Sequence, residues 1–235
     1  MARELSIAAV RLGGRPAIVA AGGEQDLDAL VAADGANVTE LRGDLFQQPT
    51  PGGMVAAIER LRAAGRPIIF TARVAAEGGR AMPEELRGEL YRAALPLVDA
   101  IDVEIASVAL AEELIARARP ANRLVILSAH DFTATPSRAA LLASVERARA
   151  LGADLPKLAT HAATPDDLRI LLDVTLAARA DGIVTLGMGP LGPLSRIVLP
   201  AAGSLLTYGA AGRGTAPGQL PVAELASLVA RLFPS

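Results

Sequence analysis

Residues 123–160 read RLVILSAHDFTATPSRAALLASVERARALGADLPKLAT. The first seven, Arg123 to Ala129, form a short apolar run rich in branched side chains, the composition of a strand buried on both faces. Thr135-Pro136 then supplies a helix N-cap followed by a first-turn proline, and 136–151 carries a helical pattern that Gly152 is placed to end. Apolar character returns over 154–160. Strand, helix and strand in this order form a βαβ unit, which demands a parallel sheet.

The same alternation extends in both directions. Strands are predicted at 16–21, 37–42, 67–73, 100–106, 123–129, 154–160, 182–187 and 204–209, and helices near 25–34, 51–65, 83–97, 108–119, 136–151, 165–180, 191–200 and 221–233. Thr50-Pro51 and Thr164-Pro165-Asp166-Asp167 repeat the start signal, the latter adding two carboxylates at the positive end of a helix dipole. Gly65 stands where the second helix should stop. Eight strands each followed by a helix, in a chain of 235 residues, match a closed α/β (β/α)8 TIM barrel forming a single domain over 1–235. An open doubly wound sheet is the alternative, and it would gather its chemistry at one switch point. Here polar residues recur along five consecutive strands: Glu40 and Arg42, Arg73, Asp102 and Glu104, His130, and Lys157. Charges in apolar parallel strands are costly unless paired or functional, so the pattern favours a shared central site. Residues 3–11 are read as a short hairpin closing the bottom of the barrel.

Composition narrows the function. There are 23 basic and 25 acidic residues, two histidines and no cysteine. The formal charge of -2 gives no electrostatic reason to expect nucleic acid or an anionic membrane as partner. Without cysteine there is no disulfide framework, no thiolate catalysis and no cysteine zinc site. Met1-Ala2-Arg3-Glu4 leads into apolar stretches cut by Arg11 and Arg15, which is not a secretory signal, so a cytoplasmic location is expected. The least charged region, 182–212, is divided by Arg196 and by several glycines and prolines and reads as buried core rather than a membrane span. Of the 23 basic residues, 22 are arginine, and the single lysine is Lys157.

An amine can lose its proton and attack a carbonyl, which a guanidinium cannot. Strand period places Lys157 on one face with Leu155 and Ala159; in a barrel that face is either the interior, where burial and nearby arginines would favour the free amine, or the outer face beneath a helix. His130 ends the neighbouring strand and suits proton transfer near neutral pH, with Asp131 pointing away to cap the following turn. Arg73 ends its strand ahead of an acidic, glycine-paired loop carrying Glu77, either an ordinary flexible connection or a substrate clamp with Glu77 orienting a catalytic base. Glu40, Arg42 and Asp44 share one strand face, either as a structural ion-pair ladder or as a binder of a carboxylated polyol. Gly187-Met188-Gly189-Pro190-Leu191-Gly192 fits G-x-G-x-x-G. Pro190 and Pro193 nevertheless remove donors that a pyrophosphate needs, and about 20 residues on the chain offers Arg213 rather than an acid. A loop that brings Arg196 to the site is the better reading.

Together the motifs resemble a family, the type I 3-dehydroquinate dehydratases. The matching pieces are Glu40-Leu-Arg42-Gly-Asp44, Phe70-Thr-Ala-Arg73 with Glu77-Gly-Gly, Ile101-Asp102-Val-Glu104, Ser128-Ala-His130-Asp131-Phe132 with Thr135-Pro136, Gly152-Ala-Asp154-Leu-Pro-Lys157-Leu-Ala, Gly187-Met188-Gly with Ser195-Arg196, Gly203-Ser204 and Ala216-Pro217-Gly218-Gln219. The resemblance implies a barrel that dehydrates 3-dehydroquinate to 3-dehydroshikimate. Lys157 would form an imine with the ketone, His130 would serve as general acid and base, and Glu77 would orient it. Glu40, Arg42, Arg73, Arg196, Thr215 and Gln219 would hold the substrate, with 216–219 as a lid. No metal or organic cofactor, nucleic acid or membrane is implied, and the family's habit is a homodimer. Two positions depart from the pattern: Ala20, where the end of the first strand often carries a serine, and Pro193 ahead of Arg196. Two rival readings stand beside this one, another class I Schiff-base lyase or aldolase on the same barrel, and a non-catalytic barrel with a binding role.

Overall fold

A computed structural model of the chain describes residues 5–212 and 214–234. Met1 to Glu4, where the secretory-signal reading fell, lie outside the described residues, as do Arg213 and Ser235. Two short strands, β1 (Ser6–Ile7) and β2 (Val10–Arg11), pair antiparallel. Eight parallel strands follow: β3 (Ala17–Gly22), β4 (Val38–Arg42), β5 (Ile68–Thr71), β6 (Ala100–Glu104), β7 (Leu124–Asp131), β8 (Leu155–His161), β9 (Val184–Met188) and β10 (Leu206–Ala210). Eight helices alternate with them: α1 (Leu27–Val31), α2 (Pro51–Ala63), α3 (Glu84–Ala94), α4 (Val108–Ala118), α5 (Arg138–Leu151), α6 (Pro165–Ala178), α7 (Gly192–Ala202) and α8 (Val222–Leu232). The sheet runs β10-β3-β4-β5-β6-β7-β8-β9, which is a (β/α)8 barrel. No helix among the described residues is long and apolar enough to cross a membrane.

Each predicted element is present within a few residues, and the differences have local causes. Thr50 and Thr164 cap α2 and α6 as expected: Thr50 Oγ1 accepts from Gly53 N at 3.1 Å, and Thr164 and Asp167 form a reciprocal capping box. Thr135 does not cap α5. Its hydroxyl pairs with Thr160 Oγ1 at 2.9 Å and donates to the His161 carbonyl at 2.8 Å, tying the loop to β8. The cap passes to Ser137, whose Oγ accepts from Ala140 N, and the helix starts at Arg138. Gly152 ends α5 at φ +102°, a conformation that a Cβ would strain.

Two cores divide the chain. Outward-facing residues of the strands, such as Ile18, Leu41, Phe70 and Leu127, pack beneath the helices. Inward-facing Ala17, Val38, Ala100 and Leu155, near the strand starts, form a layer that Leu5 and Ile7 of the hairpin segment close from below. Ile7 is fully buried there, and a side chain of that size contributes about 2 kcal/mol by leaving water. The hairpin thus closes the bottom, although residues 3 and 4 of the predicted 3–11 lie outside the described residues.

At the same end a repeat appears that the sequence reading missed. Ahead of β4, β6, β8 and β10 stand Asn37, Asp99, Asp154 and Ser204. Each accepts a backbone N–H from the preceding strand: Ile18 N to Asn37 at 2.8 Å, Ile68 N to Asp99 at 2.9 Å, Val125 N to Asp154 at 2.8 Å and Thr185 N to Ser204 at 3.0 Å. The barrel is therefore stapled in four two-strand units. The last staple falls at the β9–β10 seam, where Leu205 N also donates to Ile183 O at 2.9 Å, and the Ser204 hydroxyl does part of what a backbone ladder does elsewhere. Ser204→Ala should lower unfolding stability by about 1–3 kcal/mol in a denaturant titration, because it leaves the buried Thr185 amide unpaired. An unchanged midpoint would show that the seam does not depend on the hydroxyl.

Candidate active site

At the C-terminal ends of the strands, all nine residues singled out from the sequence line one cleft. β4 supplies Glu40 and Arg42, the chain after β5 supplies Arg73 and Glu77, β7 supplies His130, β8 supplies Lys157, α7 supplies Arg196, and the loop before α8 supplies Thr215 and Gln219. In the β7–β8 register Ser128 lies opposite Lys157 and His130 opposite Ala159, so the histidine sits two residues farther along on the same inner face.

Lys157 is 3% exposed, and its Nζ donates to Asp102 Oδ2 at 2.7 Å with Glu40 Oε1 at 3.6 Å. The Tyr208 ring lies beneath it, 4.3 Å from Nζ to the centroid, a cation–π distance. Sequence reading expected arginines beside this amine. Its closest charges are instead carboxylates, and Arg73 reaches it only through Asp102. Burial alone would raise the Asp102 carboxyl, but Arg73 and Lys157 together hold it below the ordinary range. Asp102 and Glu104 had been marked only as charges in a strand, and a buried acid in an apolar run was the signal that could have given Asp102 a role.

His130 and Glu77 form a second pair. Glu77 Oε2 lies 2.9 Å from both the backbone N and Nδ1 of His130. Burial raises the Glu77 carboxyl to about 7, and burial, Arg73 and Lys157 push the imidazole well below its usual value. The histidine is therefore neutral at pH 7. In the tautomer that donates Nδ1–H to Glu77, the Nε2 lone pair is free to act as a base. Asp131 faces away as expected and accepts from Thr133 N at 2.9 Å and Ala134 N at 3.0 Å.

The three arginines expected to grip a carboxylate differ in what they have left to offer. Arg42 gives Nε and Nη2 to Asp44 at 2.8 and 2.7 Å, and Asp44 lies past the end of β4 rather than on its face. Arg73 gives Nη1 to Glu104 and Ser128 at 3.0 and 2.7 Å, and Nη2 to Asp102 at 2.9 Å. Arg196 is 1% exposed, and its Nε and Nη1 find no hydrogen-bond partner among the described residues. Burial lowers its guanidinium to about 10. Its backbone is held by an exchange that follows from sequence. Pro200 has no N–H to give the carbonyl four residues earlier, and Thr207 Oγ1 on β10 donates to that carbonyl of Arg196 at 2.9 Å.

Gln219 Oε1 accepts from Thr215 N, Thr215 Oγ1 and Ala216 N at 2.7, 3.2 and 3.2 Å, so the side chain braces its own loop and leaves its amide nitrogen as a donor. That loop rests on the glycine-rich turn after β9: Gly189 N donates to Pro217 O at 3.3 Å, and at Gly218 (φ +78°) a Cβ would come within 2.6 Å of Gly189 O. The G-x-G-x-x-G string is thus occupied by packing, with Gly187 against Ser195, Gly189 against the His161 ring and Gly192 against Gly218.

Known proteins resemble this chain in sequence and fold. The family model for type I 3-dehydroquinase matches residues 18–233. The 3-dehydroquinate dehydratase of Methanococcoides burtonii is 34% identical over 226 residues, covering 94% of this chain and 96% of that protein. The one from Listeria innocua is 38% identical over 203 residues, covering 80% and 79%. A crystal structure of the type I enzyme from Clostridium difficile, described as carrying covalently modified comenic acid, superposes with a TM-score of 0.91 at 30% identity over 99% of both chains. With the barrel and its charged interior on these terms, the chain belongs to the type I 3-dehydroquinase family.

Proposed function

We propose that this protein dehydrates 3-dehydroquinate to 3-dehydroshikimate through an imine on Lys157. The observation that carries the reading is the placement of the chain's single lysine, buried in the barrel interior beside His130 and opening on the same cleft as the unpaired guanidinium of Arg196. Family membership over residues 18–233 favours it over the aldolase and non-catalytic readings.

The chemistry divides among these groups. Asp102, in contact with Nζ, takes part in handling the amine's proton as Lys157 adds to the ketone carbon. Loss of water from the carbinolamine gives the protonated imine. The imine draws electrons from the adjacent carbon, so His130 Nε2 can remove a proton there. The resulting enamine expels the hydroxyl on the next carbon, which leaves as water after taking the proton back from the imidazolium. Hydrolysis of the imine then frees product and restores Lys157. Glu77 keeps the histidine in the tautomer this requires. Arg196 would receive the substrate carboxylate, because it has guanidinium N–H groups to spare. Glu40, Arg42, Arg73, Thr215 and Gln219 would shape and line the polyol side, Arg42 and Arg73 acting mainly by fixing Asp44, Asp102 and Glu104. The same membership supports a cytoplasmic homodimer acting in aromatic precursor synthesis. Such a dimer would elute at twice the chain mass of 24.1 kDa.

Borohydride added during turnover of 3-dehydroquinate should leave one adduct, on Lys157, by peptide mass mapping. Lys157→Met should abolish turnover, while His130→Ala should still form some imine that cannot proceed. Normal turnover by Lys157→Met would remove the mechanism. The Glu77 shift also predicts a pH dependence of stability. Its folded value of about 7 lies above the ordinary 4.5, so its contribution is fully present below pH 4.5 and lost as pH rises through 7. Glu77→Gln avoids that loss. Its melting temperature should therefore move upward relative to the parent between pH 4 and pH 8, and a constant difference across that range would contradict the burial argument.

A further inference from the structure

We propose that the Tyr208 hydroxyl binds the substrate's carboxylate jointly with Arg196, as a specificity-determining contact. This rests on the dehydratase reading above and extends it to a residue that neither the motifs nor that reading used. Tyr208 is 3% exposed on β10 and lines the cleft, yet its hydroxyl finds no hydrogen-bond partner among the described residues. Buried polar groups are almost always paired, so an orphan on a side chain that lines a binding cleft is a place for a ligand to complete the bonding. The ring has little freedom, being held within a strand with the Lys157 amine over its face.

The other buried orphan in this cleft is Arg196, and the two share a chemical character. A guanidinium can only donate hydrogen bonds. Burial, with Glu40 and Asp102 nearby, raises the phenol well above its ordinary range, so it stays protonated and also has a proton to give. The neighbouring acids are already engaged: Glu40 by Thr71 and Lys157, Asp102 by Arg73 and Lys157, and Glu104 by Arg73 and Arg87. A ligand that satisfies both orphans must bring acceptors and negative charge, and a carboxylate brings two oxygens. The adjacent strand offers nothing comparable, since Val19-Ala20-Ala21 runs beside Tyr208-Gly209-Ala210 with only apolar side chains. The tyrosine supplies a hydroxyl from β10 where β3 has none.

The test is Tyr208→Phe, which removes the hydroxyl and keeps the ring under Lys157. Its kcat/KM for 3-dehydroquinate should fall about tenfold, mostly through KM, as expected for a hydrogen bond to a charged group. Borohydride should still label Lys157 at saturating substrate. The melting temperature without substrate should be the same or higher, since an unpaired buried hydroxyl is removed. The carboxamide analogue of 3-dehydroquinate should bind parent and variant equally. The proposal is overturned by an unchanged KM, by a lower melting temperature that reveals a structural partner, or by an equal penalty on the carboxamide. A parent protein that neither turns over 3-dehydroquinate nor gives a Lys157 adduct would overturn the dehydratase reading itself, a result distinct from any defect confined to Tyr208→Phe.

Discussion

The guanidinium of Arg73 is the interaction on which the rest of the interior depends. It is 2% exposed and bonds Asp102, Glu104 and Ser128 from three positions on two other strands. The string continues both ways. Glu104 Oε2 accepts from Arg87 Nη1 at 2.6 Å, and Arg87 reaches in from α3, where Glu84 and Ser107 hold its other nitrogens. Asp102 continues to Lys157. Burial of any one of these charges alone would be prohibitive, and removing one member of such a set typically costs about 3–5 kcal/mol because its partner is left uncompensated. The barrel interior can therefore be polar only as a unit, and the position of Lys157 is fixed from a helix on the outside.

This arrangement explains which parts of the molecule were legible from sequence. The strands and helices follow from periodicity and from local punctuation at Thr50, Thr164 and Gly152, whose reach is a few residues. That Lys157 shares a face with Leu155 and Ala159 follows from the strand period of two, whereas that this face is the interior rests on packing with the other strands. Partners are another matter. That Asp102 meets Lys157, or that Thr135 bonds across to β8 instead of capping α5, depends on contacts 25 to 55 residues apart in the chain. Arg87 carries no such signal, since nothing in its local sequence distinguishes a side chain that passes between strands from one that faces water.

The two departures from the family pattern acquire physical meaning. Pro193 lies in the first turn of α7, where a missing N–H costs nothing because those amides have no partner within the helix. It leaves the approach of Arg196 undisturbed, and the proline that matters to that residue is Pro200, whose missing N–H frees the Arg196 carbonyl for Thr207. Ala20 is buried beside Gly209 on the helix-facing side of β3, while Val19 and Ala21 are the side chains this strand turns inward, so β3 presents no hydroxyl to the interior where Tyr208 on β10 carries one.

Charge balance supplies the last constraint. The fully buried ionisable side chains among the described residues comprise five cations, Arg42, Arg73, Arg87, Lys157 and Arg196, and four carboxylates, Glu40, Asp44, Asp102 and Glu104. At formal charges these nine sum to one positive, before the partly buried Glu77 and the Glu84 carboxylate on Arg87 are counted. Four of the cations have a carboxylate within 3.0 Å, and Arg196 is the one without. Burial without a carboxylate partner disfavours the charged guanidinium of Arg196 and lowers it to about 10. On the dehydratase reading, the substrate carboxylate would supply the partner that Arg196 lacks, in the cleft that Lys157 also lines.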